Sequence, residues 1–127
     1  HTRLQGDWSS DVCSSDLFLP GAVTGSEVMR ALERGYRTLK FFPAETSGGA
    51  AAISALAGPF GDVSFMPTGG ITTDNLATYL SLKSVAAVGG SWLTPRALLS
   101  EARWEAVHQL ATETVAACRA LKTEGHP

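Results

Sequence analysis

Between residues 18 and 127 the chain repeats one local pattern four times: a short apolar run, a break at proline or glycine, then a helix-like segment. Phe18-Leu19-Pro20-Gly21 reads as the tail of a strand entering a turn. Thr24 or Ser26 can cap a helix through Gly35, on which Met29 and Leu32 share an apolar face. Thr38 to Pro43 (TLKFFP) is a second apolar run; the Ala-rich segment Ala50 to Leu56 follows as a compact helix closed by Gly58-Pro59. Val63 to Pro67 (VSFMP) is the third run, and Thr73 or Asp74 caps a helix through Leu82. Ser84 to Val88 (SVAAV) is the fourth. Pro95 then opens a short helix, and Trp104 to Leu121 forms a longer one with Trp104, Val107, Leu110, Ala111, Val115, Cys118 and Leu121 on one face.

Strands alternating with helices imply βαβ crossovers and a parallel sheet, with both sheet faces covered where the strands are continuously apolar. Two architectures fit. One is half of a (β/α)8 barrel, since 127 residues is about half of the ~250 that such a barrel needs. The other is a small open, doubly wound sheet. In both, ligands bind beyond the carboxyl ends of the strands.

The first seventeen residues, HTRLQGDWSSDVCSSDL, carry neither period. They lack the basic start, apolar core and small-residue cleavage site of a secretory signal. Asp7 to Leu17 (DWSSDVCSSDL) resembles the translated sequence of a short-read sequencing adapter. Residues 1–17 are therefore expected to be a disordered, non-native leader. Residues 18–127 are expected to be the C-terminal part of a longer protein. From Phe18 onward nine basic side chains balance nine acidic ones. That balance argues against a nucleic-acid partner, which a basic patch would announce. No apolar run approaches the ~18–20 residues of a membrane span. Two cysteines and three scattered histidines make neither a disulfide framework nor a metal site. A soluble protein of a reducing, cytoplasmic compartment is the expectation.

Lys40 is the sharpest candidate for chemistry, because it lies inside the apolar run Leu39-Lys40-Phe41-Phe42. With the strand period of two, Lys40 and Phe42 face one way, and Leu39 and Phe41 the other. A lysine turned into a barrel interior is desolvated, which favours its neutral form, the nucleophile for a Schiff base with a carbonyl substrate. The plainer alternative is a strand lysine that pairs with a carboxylate or reaches solvent. Thr68-Gly69-Gly70 and Gly89-Gly90-Ser91 both follow a strand. Glycine lets backbone N–H groups approach an anion, and paired loops on consecutive strands suit a phosphate. Tight turns use glycine for their own reasons, so either loop alone is ambiguous. Glu45 follows the Lys40 strand, where it can orient Lys40 or a water, or simply cap the helix after Gly49. Trp92 can pack under its loop or against another subunit. His108 lies mid-helix, far from every strand tip, and Cys118 reads as a small core residue.

Pro20-Gly21, LKFFPAE (Leu39 to Glu45), Gly48-Gly49, AGPF (Ala57 to Phe60), PTGGI (Pro67 to Ile71) and GGSWL (Gly89 to Leu93) occur in this order. Together they resemble the class I aldolases acting on 2-keto-3-deoxy-6-phosphogluconate, members of which often also cleave 4-hydroxy-2-oxoglutarate. The resemblance covers Phe18 to Lys122. It implies an α/β fold, the C-terminal half of a (β/α)8 TIM barrel from a partial fifth strand through the eighth. It implies a homotrimer, a small phosphorylated keto-acid substrate, and no metal or cofactor beyond a covalent Schiff base on Lys40. By the same resemblance Thr68 steers stereochemistry near the new C–C bond, and Phe42 and Pro43 line the substrate pocket. Gly69, Gly70, Gly90 and Ser91 bind phosphate. The family's proton-shuttling glutamate and carboxylate-binding arginine belong to the first half of the barrel, which this sequence does not match. The isolated chain is therefore expected to be inactive. A competing reading is a non-catalytic half-barrel module for phosphate binding or assembly. A nucleotide-binding open sheet is disfavoured because neither GxGxxG nor GxxxxGK[ST] occurs.

Overall fold

The computed structural model of the protein describes residues 18–124. Residues 1–17, expected to be a leader, and Gly125-His126-Pro127 lie outside the described residues. Two strands form a parallel pair, β1 (Thr38–Phe41) and β2 (Ser64–Pro67), in the register Thr38 to Ser64 through Phe41 to Pro67. Five helices accompany them among the described residues: α1 (Gly25–Glu33), α2 (Gly49–Ala57), α3 (Leu76–Leu80), α4 (Arg96–Ser100) and α5 (Trp104–Glu124).

The remaining two apolar runs flank the pair without becoming continuous strands. On the β1 side, Lys40 N–H donates to Pro20 C=O at 2.9 Å and Ala22 N–H to Lys40 C=O at 3.0 Å. On the β2 side, Phe65 N–H donates to Ser84 C=O, Ala86 N–H to Phe65 C=O and Gly89 N–H to Pro67 C=O. Val85 and Gly89 thus make isolated parallel bridges to Phe65 and Thr68, where a strand over Ser84 to Val88 was expected. Ala86 and Ala87 of that segment are exposed, so little side-chain packing supports it as a strand. The four backbone segments lie side by side in chain order. Sequential order is how a barrel wall is wound, whereas a doubly wound sheet reverses its order at a switch point.

One face of the sheet builds the core. Leu39 and Phe41 of β1 and Phe65 and Pro67 of β2 are fully buried. The rings of Phe41 and Phe65 meet edge to face, with centroids 6.1 Å apart. Val28 and Ala31 of α1, Ile53 of α2, and Leu76 and Tyr79 of α3 complete one cluster with them. Each large apolar side chain buried in this way contributes ~1.5–3 kcal/mol.

The helices depart from the sequence reading at their ends and on some faces. In α1, Val28 and Ala31 face inward and Leu32 is half-buried, while Met29 is 52% exposed. The helix also ends two residues before Gly35, at Glu33. Neither Thr73 nor Asp74 caps α3. Asn75 instead accepts Thr72 N–H on Oδ1 at 2.8 Å, so the chain turns on that side chain and the helix starts only at Leu76. On α5, Val107, Leu110, Ala111, Cys118 and Leu121 are half-buried, but Trp104 and Val115 are exposed. This helix packs against α3, α4 and the turn at Ser91–Leu93, which cover only part of its circumference.

Thr24 caps α1 as expected, and Glu27 completes a capping box. The Glu27 carboxylate accepts the N–H groups of Val23 at 2.8 Å and Thr24 at 3.0 Å. The Val23 bond leads, and together they hold the Glu27 pKa below its ordinary 4.5. A carboxylate with a lowered folded-state pKa stabilises above its unfolded pKa and loses that contribution as pH falls through the folded value. The stability difference between wild type and Glu27→Gln, read from urea midpoints, is therefore expected to be constant above about pH 5 and to shrink below about pH 4. A pH-independent difference would rule out this role.

Candidate active site

The face opposite the core carries the candidate residues. Burial of Leu39, Phe41, Phe65 and Pro67 on one side puts Lys40, Met66, Phe42 and Thr68 on the other. Lys40 is half-buried beside Met66, and its Nζ lies 5.3 Å from the centroid of the Phe42 ring. Phe42 itself is 55% exposed, so its ring forms a wall of this face rather than part of the core. The Phe42-Pro43 peptide is cis.

The tips of β1 and β2 are tied together beyond the regular ladder. Thr68 N–H donates to Phe41 C=O at 2.9 Å, Ala44 N–H to Thr68 C=O at 2.8 Å and Glu45 N–H to Gly69 C=O at 3.2 Å. The Thr68 hydroxyl is buried at this junction and has no hydrogen-bond partner among the described residues. Gly89 lies directly across from it, since a Cβ on Gly89 would stand 2.6 Å from Thr68 Oγ1. A buried hydroxyl without a partner costs ~1–3 kcal/mol, which a polar ligand group on this face would relieve.

Gly69 and Gly70 both hold left-handed backbone, at φ +97° and +77°. A Cβ on Gly69 would press on the Phe42 ring at 3.1 Å, and one on Gly70 would overlap the Glu45 side chain at 2.6–2.7 Å. The pair is therefore fixed by both conformation and space. Gly90 is fixed by space alone: its backbone is extended, and the Trp92 ring lies where a Cβ would be. Trp92 packs under its own loop, one of the two placements expected for it, and its indole N–H reaches Thr114 Oγ1 of α5 at 3.4 Å. Because Thr68 pairs with Gly89, the loops Gly69-Gly70 and Gly90-Ser91 leave neighbouring strand tips side by side. Their backbone N–H groups donate to no acceptor among the described residues. Neither loop runs directly into a long helix. The Ser91–Leu93 turn is a single 3-10 turn, and α3 begins six residues after Gly70. Whatever anion affinity the loops have rests on the exposed N–H groups themselves.

Lys40, Phe42, Pro43, Thr68, Gly69, Gly70, Gly90 and Ser91 thus share one end of the sheet. Glu45 neither orients Lys40 nor caps the following helix, two of the roles foreseen for it. Its carboxylate accepts the Tyr79 hydroxyl of α3, and the α2 N-terminus has no side-chain cap. Tyr79 was not foreseen, and Asn75 only as a residue suited to a helix start. Tyr79 is 1% exposed, and Asn75 Nδ2 donates to Gly70 C=O at 3.2 Å. Burial, followed by the Glu45 carboxylate, raises the Tyr79 pKa well above the ordinary tyrosine value. Apolar spacing marks Tyr79 as a core position. Nothing in the sequence shows that its hydroxyl meets a residue thirty-four positions earlier.

The KDPG and KHG aldolase family model matches residues 10–110. The 2-dehydro-3-deoxy-phosphogluconate aldolase of Pseudomonas aeruginosa is 47% identical over 97 residues, covering 76% of this chain and 44% of that protein. The chain spans a little under half the length of the curated relatives it matches. Among solved structures, the KDPG aldolase of Legionella pneumophila superposes with a TM-score of 0.71 at 40% identity. The match covers 81% of this chain and 47% of that one, and pyruvate was captured there as a covalent carbinolamine intermediate. The Zymomonas mobilis aldolase solved with 3-phosphoglycerate gives 0.61 at 42% identity, covering 68% and 41%.

The Gly69-Gly70 turn generates a test of its own. Alanine at position 70 forces a Cβ into left-handed backbone and into Glu45. Gly70→Ala is expected to cost more than about 1 kcal/mol in urea unfolding. Gly61→Ala is the control, because nothing lies within 4 Å of a Cβ there and its backbone is not left-handed. Equal midpoints for the two variants would show that the turn is not constrained as described.

Proposed function

The chain belongs to the KDPG and KHG aldolase family, and on that premise we propose that the protein it comes from is a class I aldolase. It cleaves 2-keto-3-deoxy-6-phosphogluconate to pyruvate and glyceraldehyde 3-phosphate through a Schiff base on Lys40. The observation that carries this reading is the placement of Lys40 on the open sheet face with the unpartnered Thr68 hydroxyl. In this proposal the chain supplies the C-terminal half of a (β/α)8 barrel, and the full-length protein is a homotrimer.

The chemistry follows from an amine in that position. Neutral Lys40 Nζ adds to the keto carbon C2 to give a carbinolamine, which loses water to an iminium ion. A base takes the proton of the C4 hydroxyl, and the C3–C4 bond breaks. Its electron pair moves into the iminium to form an enamine, and glyceraldehyde 3-phosphate departs as the aldehyde. Protonation of the enamine at C3 and addition of water at C2 then release pyruvate and restore the amine. The protonated nitrogen is the electron sink. The resemblance assigns the proton transfers to a glutamate that this sequence does not match, so Glu45, engaged with Tyr79, is given no part in them.

The spacing along the strands supports the choice of substrate. Thr68 lies two residues beyond Met66, the register partner of Lys40, so roughly 7 Å further along the sheet. The free N–H groups of Gly69, Gly70, Gly90 and Ser91 follow beyond it. A substrate with a ketone near one end and a phosphate at the other can reach Lys40 and these loops together. Phe42 and Pro43 wall the pocket between them.

Borohydride reduction of the full-length protein with pyruvate is expected to add a reduced pyruvate group to the peptide containing Lys40. Lys40→Arg, shown to be folded by circular dichroism, is expected to lose both the adduct and turnover. An adduct on another lysine, or turnover by the variant, would overturn the assignment. The 127-residue chain by itself is expected to show no retro-aldol activity in an assay coupled to lactate dehydrogenase, and activity there would refute the need for further residues.

A further inference from the structure

We propose that Glu45 and Tyr79 form a strut that positions the Thr68-Gly69-Gly70 tip, and so set the affinity for the phosphate end of the substrate; this rests on the aldolase reading above. Glu45 holds the tip in three ways. Its N–H donates to Gly69 C=O, its side-chain methylenes pack where Gly70 has no Cβ, and its carboxylate is held by Tyr79. The preceding Ala44 N–H fixes Thr68 C=O. From the other side Asn75 Nδ2 holds Gly70 C=O, and Asn75 begins the helix that carries Tyr79. Both ends of the turn's peptide groups are therefore fastened to α3, one through a buried phenol and one through an amide.

The consequence is directional. A loop whose carbonyls are held from one side keeps its free N–H groups pointed away from those holds. An anion site made of backbone donors is only as good as their fixed orientation. Tyr79 remains a hydroxyl donor because burial and the adjacent carboxylate both oppose its ionisation. Neither Glu45 nor Tyr79 is placed at the reacting carbons. They are positioning residues, and their loss should act on phosphate binding rather than on Schiff-base formation.

The test uses the full-length protein with Tyr79→Phe, Glu45→Ala and Glu45→Gln. Tyr79→Phe and Glu45→Ala are each expected to raise KM for the phosphorylated substrate about tenfold, the effect of one lost charge-assisted hydrogen bond. The rate of borohydride trapping of pyruvate on Lys40 should not change. Inorganic phosphate, titrated against the amide signals of Gly69 and Gly70, should bind about tenfold more weakly to both variants. Glu45→Gln keeps an acceptor for the tyrosine and should stay close to wild type in all three readouts. Glu45 is exposed, so Glu45→Ala gives a folded variant should Tyr79→Phe not fold. Wild-type KM and phosphate affinity in Tyr79→Phe or Glu45→Ala would overturn the proposal. So would a parallel loss of trapping, a Glu45→Gln as impaired as Glu45→Ala, or the absence of phosphate binding in wild type. Wild-type protein that binds phosphate in a Tyr79-dependent way but traps no pyruvate would instead overturn the Schiff-base reading alone.

Discussion

The parallel pairing of β1 with β2 is the constraint on which the rest depends. Its register places Leu39, Phe41, Phe65 and Pro67 under the helices. A strand has only two faces, so the same register leaves Lys40, Met66 and Thr68 no choice of side. A slip of β1 by one residue would bury the amine of Lys40 among Val28, Ile53 and Tyr79 and expose Leu39 and Phe41. The hydrophobic effect thus holds Lys40 in position without touching it. The core fixes which way the lysine faces, and the chemistry depends on that direction.

Beyond the ends of the strands the apolar core no longer governs, and other interactions fix the backbone. Hydrogen bonds from Ala44 and Glu45 hold the first tip loop, and the Trp92 ring under Gly90 holds the second. The two loops are thereby anchored differently. Gly69-Gly70 is tied to α3 through polar side chains, and Gly90-Ser91 to α5 through an aromatic ring. A phosphate held between them would add a polar link between two helices that already pack against each other.

Most of this was legible where the physics is local. The two inner strands, the Thr24 cap and the alternation around Lys40 follow from period two, from capping chemistry and from the position of one charged residue in an apolar run. The outer runs were harder to read. SVAAV has the composition of a strand, but a strand needs a partner, and a partner is not a property of the segment itself. The start of α3 was misread because Thr73, Asp74 and Asn75 all suit a helix entrance, and only the third finds a backbone N–H. Met29, Trp104 and Val115 followed helical spacing and still reached solvent, because the spacing gives the width of an apolar stripe but not how far its neighbours extend. The Glu45–Tyr79 contact could not be read at all. Glu45 was visible as a loop carboxylate, but Tyr79 was not singled out, and their meeting depends on how α3 returns to the sheet.

The sheet and the candidate site pose the same structural problem. The outer segments, at Pro20–Ala22 and Ser84–Gly89, bond inward to β1 and β2, and backbone polar groups at the margin of a sheet must all find partners. The face carrying Lys40 and Thr68 is backed by core on one side only. In the barrel we propose, one event answers both needs. Closing the wall pairs the edge groups, and it also encloses the face on which the amine acts. Enclosure matters to the chemistry because excluding water strengthens the polar contacts that hold a substrate and protects an enamine from stray protonation. Folding and catalysis would then depend on the same closure. A weakened strand edge would therefore impair the reaction even if every residue touching the substrate were kept.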